Sequence, residues 1–180
     1  FILFDKVILP RYEQKSNDRE ADTIEEKGTV IIAGIGRFGQ IVNRLLVSND
    51  VNTVVLDHQA NQVDLLRSIN IKSYFGDATR HDLLHTAGIE EAAMLVVAID
   101  SQDSSVELVK YVKHTYPNVK ILARAFDRGH SYRLREAGAD SVVSETYHSA
   151  LEMGADALRS LGHHPFFVEQ QKSTYQRVES

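Results

Sequence analysis

Gly34, Gly36 and Gly39 stand in the run Thr29-Val-Ile-Ile-Ala-Gly-Ile-Gly-Arg-Phe-Gly-Gln-Ile-Val-Asn-Arg44, and Asp57 lies in Val54-Val-Leu-Asp-His58, eighteen residues after the last of them. Glycines at this spacing permit a turn tight enough to bring bare backbone against a phosphate. A helix opening near Arg37 aims its unpaired N–H groups and positive dipole end at the same point. A carboxylate at the end of the next strand can accept hydrogen bonds from a ribose hydroxyl. The chemistry is recognition of an adenine nucleotide: Gly34, Ile35, Gly36, Arg37, Phe38 and Gly39 at phosphate, Asp57 at ribose. The charge of Asp57 repels a 2′-phosphate, which disfavours NADP. In the competing reading the pocket is empty and Asp57 only caps a helix; helix–strand packing alone requires just the third glycine.

These residues need elements to hold them. The run before Gly34 is apolar and β-branched, as expected of a strand buried on both faces. Asn61 can cap a helix to about Ile69, and Ile71–Phe75 reads as a third strand ending in Gly76-Asp77-Ala78-Thr79. A short helix, an apolar fourth strand over Met94–Asp100, a helix over Gln102–Thr115 and a fifth strand over Val119–Arg124 come next. A helix over Arg128–Ala137 and a short strand over Asp140–Val143 complete the pattern. Strands alternating with helices predict right-handed βαβ units and an open, six-stranded, doubly wound parallel sheet of Rossmann-like α/β class. Ligands in such folds sit at the carboxyl ends of the strands. That rule gathers the glycine turn, Asp57, His58, Gly76–Thr79, Ile99 and Asp100 along one edge.

Beyond the sixth strand, Glu145–Leu161 reads as a helix in which Gly154 and Ala155 allow close approach of another helix, from this chain's own sheet or from a second subunit. Gly162-His-His-Pro165 stops it, and Phe166-Phe-Val168 leads into a polar tail. At the other end Phe1–Pro10 is apolar, either the cut end of a membrane or interfacial helix or an edge segment packed on the domain. Arg11–Lys27 is polar and charged, as linkers are. The expected organisation is therefore 1–27 as membrane-helix end and linker, 28–144 as the nucleotide-binding domain, and 145–180 as a C-terminal helix and tail making dimer and ligand-pocket contacts.

Composition narrows the classes. With 20 Lys and Arg against 25 Asp and Glu the chain carries a formal charge of −5, so a phosphate-backbone partner, which usually meets a basic face, is not favoured. It has no cysteine, hence no disulfide or thiolate chemistry. His81 and His85 lie one turn apart without a third ligand of matching spacing, so no metal site is expected and a solvated pair is. Asp77 either orients the adenine side of the cleft or, with Thr79, caps the next helix. Arg37 meets the phosphate or an acid on another subunit, and His58 packs beside the ribose or is solvated. Arg124, Arg128, Arg133 and Arg135 form the densest basic stretch, suited to ligand carboxylates or balanced by Asp127, Glu136 and Asp140.

The pairing of Gly-Ile-Gly-Arg-Phe-Gly with Val-Val-Leu-Asp-His and then Phe75-Gly-Asp-Ala-Thr79, together with Leu122-Ala-Arg-Ala-Phe126 and Tyr132–Asp140, resembles the RCK or KTN regulatory domains of potassium channels and transporters. The likeness runs from about Gly28 to Gly162 and is strongest to the cytosolic domain of the Kef glutathione-gated potassium efflux systems of Gram-negative bacteria. It implies a homodimeric sensor, covalently linked to a transmembrane potassium/proton antiporter of the bacterial inner membrane, with AMP or NAD(H) in each cleft. Glutathione would hold the transporter shut and a bulky adduct would release it. A soluble ancillary subunit is a further partner in keeping with such systems. By the same resemblance Arg44 matches a glutathione-binding arginine; Arg124, from the basic stretch, is a second candidate for the glutathione carboxylates. Ser144 stands where relatives carry a second glutathione-binding arginine, and Ile69 where they carry an aromatic that senses adduct bulk; both departures bear on glutathione affinity and release.

A nicotinamide-dependent dehydrogenase is the main alternative. Hydride transfer needs a substrate held against the nicotinamide, usually by a second domain with an acid or base. After the sixth strand the chain offers one helix and a tail, and no Tyr-x-x-x-Lys pattern stands at a strand end, so binding rather than catalysis is expected. A third reading is a soluble nucleotide-binding subunit of a potassium uptake channel.

Overall fold

The computed structural model describes residues 28–179. The expectations for Phe1–Pro10 and Arg11–Lys27 lie outside the described residues. In chain order the elements are β1 Val30–Ala33, α1 Arg37–Val47, β2 Thr53–Asp57, α2 Ala60–Ser68, β3 Lys72–Phe75, α3 His81–Thr86 and β4 Met94–Val97. They continue as α4 Gln102–Thr115, β5 Lys120–Ala125, α5 Arg128–Ala137, β6 Ser141–Ser144, α6 Tyr147–Ser160 and α7 Pro165–Glu179. The six strands form one sheet in the order β3-β2-β1-β4-β5-β6, every pairing parallel. The order reverses between β1 and β4, and the crevice of a doubly wound sheet opens at that switch point.

Every residue of β1 and β2 is buried, as continuous apolar runs in a parallel sheet require. On one face Ile31, Leu56, Leu95, Ile121 and Leu134 are fully buried with α4 and α5. On the other, Ile32, Ile35 and Val55 pack under α1 and α2. Each such side chain contributes roughly 1.5–3 kcal/mol of transfer free energy. A polar pair also sits inside: the buried Thr53 hydroxyl donates to Asn43 Oδ1 at 2.8 Å and locks α1 onto β2.

Differences from the expected elements have local causes. β4 closes at Val97 rather than Asp100, although the Ala98 amide still bonds Ala33 O at 2.8 Å. Gln59, not Asn61, is the N-cap residue of α2; the Asn61 side chain accepts only from the next amide. The polar tail is a helix, α7, of 15 residues. Gly162, at φ +93°, ends α6, and Pro165 occupies the first position of α7, where its missing N–H costs nothing. α6 and α7 form a hairpin in which Ala155 and Val168 are the buried residues. Gly154, expected to admit a neighbouring helix, meets nothing within 4 Å of where a Cβ would stand. No helix of the described residues is long and apolar enough to cross a membrane.

Candidate functional site

The three glycines do different work. Gly34 takes φ +95°, and a Cβ there would lie 2.5 Å from Ala98 O, so β4's exit presses directly on the turn. A Cβ on Gly39 would overlap Gly34 O, which fixes how closely α1 approaches β1. Packing thus requires the first and third glycines, one more than the sequence suggested. Gly36 is different: among the described residues nothing lies within 4 Å of its Cβ position. It is the N-cap residue of α1 with no side-chain cap, and both it and Arg37 are exposed. The open backbone of Gly36, Arg37 and Phe38 leaves first-turn amides without an intrahelical partner, the arrangement that receives a phosphate.

Asp57 stands at the end of β2, 7% exposed. Its Oδ2 accepts the Ile35 amide at 2.8 Å and its Oδ1 the Gln59 amide at 2.7 Å. The carboxylate therefore ties the glycine turn to the start of α2, and each oxygen keeps lone-pair capacity for a further donor. The exposed His58 ring places Nδ1 4.0 Å from Asp57 Oδ1.

At the end of β3 the Gly76 amide bonds Asp57 O at 2.9 Å, joining the two strand exits. Asp77 Oδ1 accepts the Thr79 amide at 2.9 Å and the Thr79 hydroxyl at 2.7 Å. Those bonds hold the Asp77 carboxyl below its ordinary range, helped by the charges of His58 and Arg80. Asp77 and Thr79 do not cap α3, whose N-cap residue is Arg80, without a side-chain bond. Ala78 is buried beneath them.

Ile99 and Asp100 follow β4, with the Asp100 side chain almost fully exposed. Arg124 on β5 is drawn to the same place: its Nη2 donates to Ile99 O at 2.7 Å and lies 3.5 Å from Asp100 Oδ1. Its guanidinium carbon is 5.8 Å from the centre of the Phe38 ring, in the first turn of α1. The chain thus sets Gly34–Gly39, Asp57, His58, Gly76–Thr79, Ile99, Asp100 and Arg124 along one edge. Sequence reasoning missed Glu145, whose Oε1 is 3.8 Å from Arg124 Nη1. Its place just after β6, at the carboxyl edge of the sheet, was the available signal.

Other expected residues lie elsewhere. Arg44 is exposed in the last turn of α1 and forms no ion pair among the described residues. Arg133 bonds Asp103 at 2.8 Å, and Arg128 bonds Glu179. The acids expected to balance this stretch are otherwise engaged: Asp127 caps α5 through the His130 amide, Glu136 takes the Tyr132 hydroxyl and Asp140 takes Lys113 and the Ile121 amide. His81 stacks on Tyr111 with centroids 3.5 Å apart, and His85 Nδ1 meets Glu90 at 3.0 Å. A second cavity of about 1290 Å³ opens between the α6–α7 hairpin and the β6 edge, lined among others by Phe126, Val143, Ser144, Tyr147 and Tyr175. The Tyr147 hydroxyl is buried there without a hydrogen-bond partner among the described residues. Neither Arg44 nor Arg124 lines it.

The fold and the crevice define a nucleotide-binding type of α/β domain, and the sequence profile of the TrkA-N domain matches residues 30–145. The chain belongs to that family. It is 46% identical over 174 residues, 95% of its length, to the glutathione-regulated potassium-efflux system protein KefC of Escherichia coli. It spans 28% of that relative. Among solved structures it is similar to the Kef CTD of Shewanella denitrificans in its AMP-bound form, with 41% identity, a TM-score of 0.78, and coverage of 84% of this chain and 92% of that one. The GsuK channel bound to NAD matches with 29% identity, a TM-score of 0.64, and coverage of 72% and 23%.

Proposed function

We propose that this chain is a ligand-sensing regulatory domain that binds an adenine nucleotide in the β1–β4 crevice and governs a potassium efflux antiporter to which it is covalently joined. The observation that carries the reading is Gly36, whose Cβ position is empty while both neighbouring glycines are demanded by packing. An exposed glycine backbone at a helix start beside a buried acid suits the phosphate and ribose of one nucleotide. AMP is favoured over NAD(H), because the relative with the higher identity is AMP-bound.

Glutathione or its adducts form the second ligand. The cavity containing Ser144 and the Tyr147 hydroxyl, unpartnered among the described residues, supports this, with Arg135 in its lining to attract a carboxylate. Arg44 is exposed on α1 and forms no ion pair among the described residues, which leaves it able to meet a ligand held between two copies. Exposed Ile41 and Leu45 on α1, Leu65 on α2 and Ile69 just after it suit a homodimer, since large exposed apolar surface marks contact sites. Residues 28–144 serve as the nucleotide domain and 145–180 as the contact segment, on the cytoplasmic side of the membrane. The domain binds and transmits; it performs no chemistry on the nucleotide. Calorimetric titration of the full chain with AMP, NADH, glutathione and a glutathione adduct tests this. Nucleotide and glutathione are expected to bind at independent sites, and displacement of one by the other, or binding of neither, would contradict the reading.

A further inference from the structure

Arg124 is a buried guanidinium between two parts of the molecule with different roles. Its side chain is 9% exposed, and one strong hydrogen bond, to Ile99 O at 2.7 Å, fixes it beneath the β4 exit. Two carboxylates share the remaining charge. Asp100 Oδ1, 3.5 Å away, belongs to a side chain that is almost fully in water, where attraction is weak. Glu145 Oε1, 3.8 Å away, is more enclosed and so feels the cation more strongly. Neither contact has the length of a good hydrogen bond, so the guanidinium keeps donors to redistribute. On its other side lies the Phe38 ring, in the turn of α1 where an incoming phosphate would arrive.

Glu145 is the lead-in to the C-terminal hairpin. Its amide is pinned to Ala125 O at 2.9 Å, one residue from Arg124 along β5. The next turn starts with the Tyr147 amide bonded to Ser144 Oγ at 3.2 Å, and Tyr147 then stacks against Tyr175 of α7 at 6.5 Å. Arg124 and Glu145 therefore form the charged joint between the crevice and the hairpin.

We propose that Arg124 is a positioning residue that reports nucleotide occupancy to the α6–α7 hairpin, by giving up Glu145 when a phosphate anion enters the crevice. This coupling rests on the nucleotide reading of the crevice. Phosphate and Glu145 compete for the donors of one cation, so each weakens the other's hold by the same factor, as linkage requires. Glu145 released from Arg124 loosens the start of α6, and the hairpin moves between a held and a freed arrangement.

The test is hydrogen exchange of the full chain with and without saturating AMP, with AMP affinity measured on the same samples. In the native protein AMP is expected to speed exchange of the α6 amides by about five- to tenfold, the lower end of an ordinary coupling between sites. In Glu145→Gln exchange should already be fast without AMP, should not respond to it, and AMP should bind tighter by a similar factor. Arg124→Lys, which keeps the charge but lacks the fork that spans both sites, should likewise abolish the response. AMP binding with unchanged α6 exchange in the native protein would overturn this proposal alone, as would a Glu145→Gln response equal to the native one. Absence of any AMP binding would overturn the nucleotide reading and this proposal with it.

Discussion

The Asp57 carboxylate accepts the Ile35 amide at 2.8 Å, across 22 residues of chain, from inside the glycine turn itself. The group proposed to meet the ribose therefore also holds the glycine turn in shape. Affinity and local order at this site are not separable, and substitutions of Asp57 should show both losses.

Asp57→Asn replaces an acceptor with a donor opposite the Ile35 or Gln59 amide. One buried N–H then loses its partner, at a cost of about 1–3 kcal/mol. Chemical denaturation should detect that loss, and titration with AMP should show affinity reduced at least tenfold, roughly the worth of a hydrogen bond to a charged group. Native affinity in a destabilised variant would separate the two roles and leave ribose contact without support.

The glycines should divide cleanly. Gly39→Ala drives a methyl into Gly34 O and should abolish folding or lower the melting temperature sharply, as seen by circular dichroism. A Cβ at Gly36 meets nothing within 4 Å among the described residues, and at φ −65° the backbone is acceptable to any residue. Gly36→Val should leave the melting temperature nearly unchanged while removing most nucleotide binding. A Gly36→Val protein with full AMP affinity would contradict the phosphate assignment.

Thr53→Val tests the support under the site. The variant keeps the shape of the side chain but strands the buried Asn43 oxygen, at a cost of about 1–3 kcal/mol. Because Asn43 belongs to α1, which carries the phosphate turn on its first turn, nucleotide affinity should fall modestly as well. Urea unfolding and titration check the two effects.

His130 makes stability depend on pH. It is 3% exposed; Nδ1 accepts the Phe126 amide at 3.0 Å, so Nε2 carries the proton toward Ser105 Oγ at 2.8 Å, and Ser105 donates in turn to Gln102 O at 2.8 Å. A second proton has no place in that chain. Burial chiefly, with Arg133 and Arg124 nearby, pushes the imidazole below its ordinary value, against the opposing pull of Asp127. The unfolded chain thus takes up a proton before the native one does. Stability present above the unfolded value of 6.5 should be lost as pH falls below it, down to the lower native value. Urea midpoints measured from pH 8 to 5.5 should decline in the native protein, and the decline should be shallower in His130→Gln.

Much of this architecture was readable in the chain because local signals agreed. β1 and β4 announce themselves as β-branched runs buried on both faces, and the glycine spacing points to the turn between β1 and α1. What escaped was set by tertiary contact or by one residue with two meanings. Pro165 reads as a stop, yet it opens α7. The environment of Gly34 depends on Ala98, which reaches it only through sheet pairing. Glu145 became part of the site because β6 lies beside β5, a neighbourhood no local pattern encodes. Arg133 found Asp103 on α4 rather than an acid on its own helix for the same reason.

The most direct measurement is a crystal structure of the full chain grown with AMP. Phosphate oxygens are expected about 2.7–3.2 Å from the amides of Gly36, Arg37 or Phe38, with a ribose hydroxyl on the Asp57 carboxylate. A crevice left vacant at saturating AMP, or AMP seated instead in the cavity beneath the α6–α7 hairpin, would contradict nucleotide recognition by the glycine turn.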